Sequence, residues 1–300
     1  MTPPGTFAIT LALLLDLAFS EPPKSIHPVV MFGRLVSTFD RPYRRPLVAG
    51  ILIAIVLPLF AGVAVAIPVA LFTRWQPLVG GVVAGILLFT TVSFRMLLET
   101  GARVVRDSEA DIESARETVV SLVGRDPASL SAGEIRSATV ESVAENLADG
   151  LLAPLLAFAL GSVLSVPAGV GAAAWVKGVN TLDSMLGYPE KPVGTASARL
   201  DDVVEWIPAR LGALLIAVAS VDLGAAFRAR EWARTTPSPN SGWPMATLAT
   251  TSGIRLRKPG VYDLNPDAPL PTAVSASRGI RTVGWAGLLA FGLTGVIACL

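Results

Sequence analysis

A chain of 300 residues that is 52% hydrophobic and 16% charged, with a mean hydropathy of +0.60, departs from soluble globular composition, where about 25% are charged. A net charge of +1 excludes the strong basic field that a nucleic-acid partner needs. One cysteine, Cys299, excludes an internal disulfide and a cysteine-based zinc cluster, and one histidine, His27, excludes a multi-histidine metal site; any metal is left with oxygen ligands, which suits Mg²⁺.

The apolar residues gather in long runs. The expected fold is an all-α polytopic integral membrane protein with three clear spans plus broken or re-entrant helices. It forms one membrane-embedded domain over residues 1–300, with polar insertions at about 99–150, 177–210 and 225–281. In chain order, Met1 to Gly5 lacks the positive start of a signal peptide. Phe7–Phe19 is short for a span, holds Asp16 and leads into Glu21-Pro22-Pro23. Leu47–Phe72 reaches the roughly 20 residues that crossing requires, with Pro58 and Pro68 inside it. Pro77–Leu98 also reaches it, and Gly81 with Gly85 forms a small-xxx-small pair suited to helix packing.

Val104, Ile112, Ala115, Val119 and Leu122 share a face at helical spacing, which predicts an amphipathic helix. Arg125-Asp126-Pro127 punctuates it, Ser131 with Glu134 predicts a capping box, and Gly150 is a stop signal for the helix that follows. Leu151–Val176 is long enough to cross, but Gly161, Pro167, Gly169 and Gly171 interrupt it, which favours a hairpin that returns. Leu211–Val221 is another short segment, and Thr282–Leu300 just reaches spanning length. Lys24, Arg34, Arg41, Arg44 and Arg45 precede the first span and Arg95, Arg103 and Arg106 follow the second, with only Arg74 between them. Both outer flanks are therefore expected to be cytoplasmic and, with the hairpin, so are the polar motifs.

Four polar constellations could carry chemistry. Glu141, Glu145 and Asp149 fall at i, i+4 and i+8 with Asn146 among them; like charges at that spacing repel unless a cation such as Mg²⁺ neutralises them, and a solvated acidic face is an equally good account. Asn180-Thr-Leu-Asp183-Ser184-Met185 is followed by Arg199-Leu-Asp201-Asp202 and Pro208-Ala-Arg210. These charges lie between two broken apolar segments, where each costs roughly 3 kcal/mol at membrane depth and is usually functional. Ser238-Pro-Asn240-Ser-Gly242-Trp243-Pro reads as a rigid turn, or as a loop that covers a ligand with Asn240 and Trp243. His27-Pro-Val with Gly33-Arg34 reads, taken alone, as a structural turn. No phosphate-binding P-loop, nucleophile elbow or zincin motif occurs.

In this order the motifs resemble the adenosylcobinamide-phosphate synthase family of cobalamin biosynthesis, the CbiB/CobD membrane proteins. The resemblance covers nearly the whole chain. It rests on His27-Pro-Val with Gly33-Arg34, on Arg125-Asp126 with Leu130, and on Ala138-Thr-Val-Glu141-Ser-Val-Ala-Glu145-Asn146 with Asp149-Gly150 and Ala153-Pro154. It continues through Asn180-Thr-Leu-Asp183-Ser-Met185 with Gly187-Tyr188, Ala198-Arg199-Leu-Asp201-Asp202, Ile207-Pro-Ala-Arg210 and Ser238-Pro-Asn240 with Gly242. Two stretches depart from the pattern. Pro189–Gly194 is shorter than usual and lacks an Arg-Tyr, and Arg257-Lys-Pro-Gly260 stands where Gly-Gly is usual.

The resemblance implies an ATP-dependent ligase that joins adenosylcobyric acid to (R)-1-amino-2-propanol or its O-2-phosphate through an amide bond. Under it, Glu141, Glu145, Asp183 and Asp202 are catalytic candidates. Asp149, Asp183, Asp201 and Asp202 are candidate Mg²⁺ ligands, and His27, Arg34, Asn146, Asn180, Ser184, Arg199, Arg210 and Asn240 are candidates for binding substrate or nucleotide. Implied cofactors are ATP and Mg²⁺; implied partners are the lipid bilayer of the cell membrane and other membrane proteins of the cobalamin pathway. A transporter or permease, or a non-catalytic scaffold of the corrinoid pathway, would also use broken helices and embedded carboxylates.

Overall fold

The computed structural model describes residues 4–123 and 128–300, so the expected Arg125-Asp126-Pro127 punctuation lies outside the described residues. The helices run α1 (Pro4–Phe19), α2 (Pro28–Ser37), α3 (Pro46–Trp75), α4 (Pro77–Phe89), α5 (Phe94–Ala110), α6 (Ile112–Val119) and α7 (Ala132–Asn146). They continue with α8 (Ala153–Ser162), α9 (Val166–Leu186), α10 (Thr195–Val204), α11 (Trp206–Ala219), α12 (Ala225–Ala233), α13 (Gly242–Ser252) and α14 (Ala273–Ile297). The strands described are β1 (Leu256–Lys258) and β2 (Tyr262–Leu264), an antiparallel pair in the register Leu256↔Leu264. The protein is thus all-α with one small hairpin. Among the described residues, four helical stretches are long and apolar enough to cross a membrane: Pro46–Trp75, Pro77–Ala110, Ala132–Ser162 and Ala273–Ile297. The second of these is interrupted at Thr90–Ser93, where Thr90 and Thr91 turn their hydroxyls back to the carbonyls of Leu87 and Leu88.

The third stretch corrects the sequence reading. Gly150 does not stop the helix; α7 passes through a π-turn, Leu147–Leu152, into α8. Pro154 cannot donate to the carbonyl of Gly150, and the ladder loosens just before it. The extra residue of a π-turn also breaks the regular i, i+4, i+8 register, so Asp149 does not continue the face of Glu141 and Glu145.

The chain divides into two compact units. The first comprises Met1–Ser93, Gly150–Glu205 and Phe291–Leu300. In it α1 packs on α4, with Gly81 facing Phe7 and Gly85 facing Leu11, so the small-xxx-small pair is a helix contact. Helices α8 and α9 form the expected hairpin across a short connection, Val163–Ser165. A Cβ on Gly161 would lie 2.9 Å from the Cα of Gly169. Against α3, α9 approaches through Gly62 with Gly171 and Pro58 with Gly178. The Thr6 hydroxyl donates to the carbonyl of Gly295 at 3.0 Å, and Gly5 abuts Ala298.

The second unit comprises Phe94–Asp149 and Trp206–Ala290. The expected amphipathic helix is two helices: Asp111 caps α6 by accepting from the amides of Glu113 and Ser114, which ends α5 one residue earlier. Val104, Ala115 and Val119 nevertheless share one core with Leu130 and Ile135, and Ile112 and Leu122 pack against it. Ser131 and Glu134 form the capping box of α7. Arg255 and Asp263 pair beside the β-hairpin, Gly260 turns it at φ +74°, and Asn265 donates to the carbonyls of Ala249 and Ile254 at the end of α13.

Candidate functional site

In the first unit the motif Asn180–Ser184 lies near the end of α9. Leu182 and Leu186 anchor that helix in a core with Val36, Ile53, Leu57 and Val193, which turns Asp183 away from it. Gly187 leaves room for the Asp183 carboxylate: a Cβ there would sit 1.9 Å from Asp183 Oδ1. The chain then folds back through a tight loop. Lys191 pairs with Asp40 at 2.7 Å and donates to the carbonyl of Met185, and Gly194 sits so close to Leu186 that a Cβ would meet its carbonyl oxygen at 1.6 Å. Ser197, buried in α10, donates to the carbonyl of Gly194.

This return brings Asp202 to Asp183. Burial, and then the charge of Asp202, push the Asp183 carboxyl from 3.8 up to about 6. Burial also raises Asp202, while Arg199, 3.7 Å away, opposes that. Arg199 is mostly exposed, so its pairing is worth at most about 1 kcal/mol and does not neutralise the site. Two half-buried carboxylates that resist ionising together are suited to a shared cation. Among the described residues no group of three or more His, Cys, Asp or Glu gathers into an all-protein cage. A two-carboxylate site of this kind matches Mg²⁺, which is commonly held by one or two carboxylates plus substrate phosphates.

The other candidates of this unit lie around these two. Asp201 and Asn180 are half-buried, and Ser184 is exposed with its hydroxyl donated to the Asn180 carbonyl. Arg34 is exposed in the last turn of α2. His27 is buried and caps α2, its Nδ1 accepting from the amide of Val29 at 3.2 Å; burial lowers its pKa, Glu21 raises it and Lys177 lowers it. Lys177 also lines a cavity of about 340 Å³ with Pro28, Phe32, Phe60, Thr91 and Thr181. The sequence reading missed Lys177, and also Glu205, buried at the end of α10. Lys177 interrupts an apolar helix, which is the signal that would have found it.

In the second unit Glu141 is 4% exposed. Its carboxylate accepts from the Ser137 hydroxyl at 2.6 Å and the Tyr262 hydroxyl at 2.8 Å, and Ser137 accepts from the amide of Arg257. Glu141 therefore ties α7 to the β-hairpin and is not part of an open acidic row, as its spacing had implied. The Arg257–Gly260 departure is the first strand and turn of that hairpin. Glu145, Asn146 and Asp149 are half-buried, and Asn146 donates to the Ser142 carbonyl at 2.9 Å.

Arg210 and Asn240 come together. Arg210 donates to Asn240 Oδ1 at 2.7 Å, to the Trp206 carbonyl and to the Pro239 carbonyl, and its guanidinium lies 4.4 Å from the Trp206 ring centre and 5.2 Å from that of Trp243. Burial and the nearby Arg234 lower its pKa. The Ser238–Trp243 turn thus holds an arginine in this structure, with Trp243 supplying the flat face.

Comparisons with other proteins place the chain in a family. The family described as CobD/Cbib protein matches residues 9–281. Similar proteins include a probable cobalamin biosynthesis protein CobD of Methanothrix thermoacetophila, 35% identical over 97% of this chain and 96% of that protein. The cobalamin biosynthesis protein CobD of Pelobacter propionicus is 38% identical over 87% of this chain and 83% of its own length. That of Klebsiella pneumoniae is 37% identical over 84% and 82%. No solved structure matches the chain. With the likeness running through the spans and the polar motifs between them, the chain belongs to the CobD/Cbib family of cobalamin biosynthesis proteins.

Proposed function

We propose that this protein catalyses ATP-dependent amide-bond formation between adenosylcobyric acid and (R)-1-amino-2-propanol or its O-2-phosphate, giving adenosylcobinamide or its phosphate. Family membership carries a role in cobalamin synthesis, corrinoid substrates and a membrane setting. The observation that supports the finer reading is the Asp183–Asp202 pair, two partly desolvated carboxylates held opposite each other by Gly187 and the return of the chain into α10.

A carboxylate does not acylate an amine at neutral pH without activation, and Mg²⁺ with ATP supplies that activation when bound. Asp183 and Asp202 hold the cation. Arg199, exposed beside them, supplies a fork that matches phosphate oxygens. The corrinoid, too large for the 340 Å³ cavity, lies at the membrane surface.

Purified protein in nanodiscs, given adenosylcobyric acid, aminopropanol phosphate, ATP and Mg²⁺, is expected to form an amide product detectable by mass and lost when ATP or Mg²⁺ is omitted. Bound corrinoid without product under all conditions would overturn the ligase in favour of a scaffold. Corrinoid accumulation without ATP cleavage would favour a transporter.

The reading also sets the protein in the cell membrane with its polar motifs in the cytoplasm. The α8–α9 hairpin supports this because it returns the chain to its side of entry. A reporter fused after Gly187 is expected to give a cytoplasmic signal; a periplasmic one would reverse the topology.

A further inference from the structure

We infer that α11 and α12 form an interfacial hairpin, lying at the headgroup–acyl boundary of one leaflet and leaving on the side it entered. Helix α11 is packed opposite to a water-soluble helix. Its buried face, which lies on α13, carries the small Ala209, Gly212, Ala213 and Ala217 beside Leu215 and Ile216. Its exposed face carries Ile207, Leu214 and Val218, a single stripe at helical spacing. Helix α12 has the same small inner face, with Ala225, Ala229 and Ala233 fully buried against α13, but its outer face mixes Phe227 with the charged Arg228, Arg230 and Glu231. Small residues inward and large apolar residues outward is how helices pack when lipid covers the outside. The spanning helix α3 likewise exposes large apolar residues, Ile51, Leu52, Ile55 and Leu59, while it buries Gly50 and Gly62 beside Ile53 and Leu57.

The connection between the two helices pairs part of its own backbone. Val221 is 92% exposed and Leu223 70%. The amides of Ser220, Val221 and Asp222 donate to the carbonyls of Ile216, Val218 and Ala217. The Ser220 hydroxyl returns to Ile216, and Asp222 pairs with Arg228.

Length and charge set the depth. At 1.5 Å per residue, the 14 residues of α11 reach only about 21 Å, short of the roughly 30 Å hydrocarbon core. Arg228, Arg230 and Arg234 are exposed along α12, and Arg230 lies over the Phe227 ring at 4.2 Å, so its stem covers apolar surface while its head reaches outward. Trp206, exposed and stacked on Arg210, marks the other end at headgroup level. The lipid occupant is therefore the headgroup–acyl boundary of a single leaflet, and the arginines sit at its phosphates.

The test replaces Cys299 with Ser and introduces single cysteines at Leu214, Val218 and Leu223, each labelled with an environment-sensitive fluorophore in nanodiscs. Lipids spin-labelled near the headgroup are expected to quench all three about twofold or more, and iodide to quench none comparably. Cysteines at Val203 and Thr235 are expected to react with an impermeant reagent from the same side in intact vesicles. Efficient iodide quenching would place the stripe in water and overturn the inference. Quenching by neither reagent would mean that a protein surface covers the stripe, and labelling from opposite sides would make the segment a span; either overturns it as well.

Discussion

Asp183→Asn is expected to lower amide-forming turnover by about 100-fold or more, and Asp202→Asn by a comparable factor, because on the proposed function each would remove one of the two charges that hold the cation against transferring phosphate. Rates at saturating ATP, with Mg²⁺ varied, check this; full turnover by either variant would end the metal role. Stability should move the other way. Asp183 titrates near 6 in the folded protein against 3.8 ordinarily. A raised carboxyl contributes stability that is fully present below its unfolded pKa and lost as pH rises through the folded value. The Tm advantage of Asp183→Asn over the parent should therefore be absent near pH 4, grow to about pH 6 and hold above it. Mg²⁺ with ATP should shrink that advantage by stabilising the ionised parent. Turnover by the parent should fall as pH drops below about 6. In Asp202→Asn the titration of Asp183 should move to lower pH, because a like charge is gone.

Gly194→Ala is expected to destabilise the protein by on the order of 3 kcal/mol, seen as a lower unfolding temperature in detergent. The added Cβ would meet the Leu186 carbonyl at 1.6 Å, and backbone cannot step aside as a side chain can. The same wall is crowded from the other side, since a Cβ on Gly50 would meet the Val193 carbonyl at 2.2 Å. Because α10 starts at Thr195, the displacement would pass to Asp202, and activity should fall further than the loss of folded protein explains. An unchanged melting temperature would show that the loop has slack this structure does not display.

Much of the fold was legible because membrane crossing requires long apolar runs, and these are visible without any neighbour. The span at Pro46–Trp75, the α8–α9 hairpin with its glycines and the Ser131–Glu134 box all follow from local chemistry. The losses occurred where a cap, a proline or a distant partner overrides the pattern. Asp111 breaks one apolar stripe into two helices that still bury the same residues, so periodicity alone reads them as one. Pro154 alters the helix before it, carrying it through Gly150. Glu141 looked like one member of an acidic row until Tyr262, 121 residues away, was found on its carboxylate. Asp183 and Asp202 were legible as charges among broken segments, but their approach depends on the tight return through Gly187 and Gly194. Lys177 went unread inside an otherwise apolar helix, and the packing of Arg210 against Trp206 and Trp243 was not visible in the spacing of the motifs.

The hydrogen bond from Thr6 to Gly295 joins residues 289 apart in sequence. During synthesis α1 emerges early and packs on α4, but the residues that meet Thr6 and Gly5 arrive some 290 positions later. The first unit therefore cannot close in the order in which it is made. It assembles on local hairpins and is completed by contacts about 290 residues apart, a late and entropically slow step. Until then the Thr6 hydroxyl lacks the Gly295 carbonyl, and a ribosome stalled within α14 would hold a chain whose first helix is still unlatched.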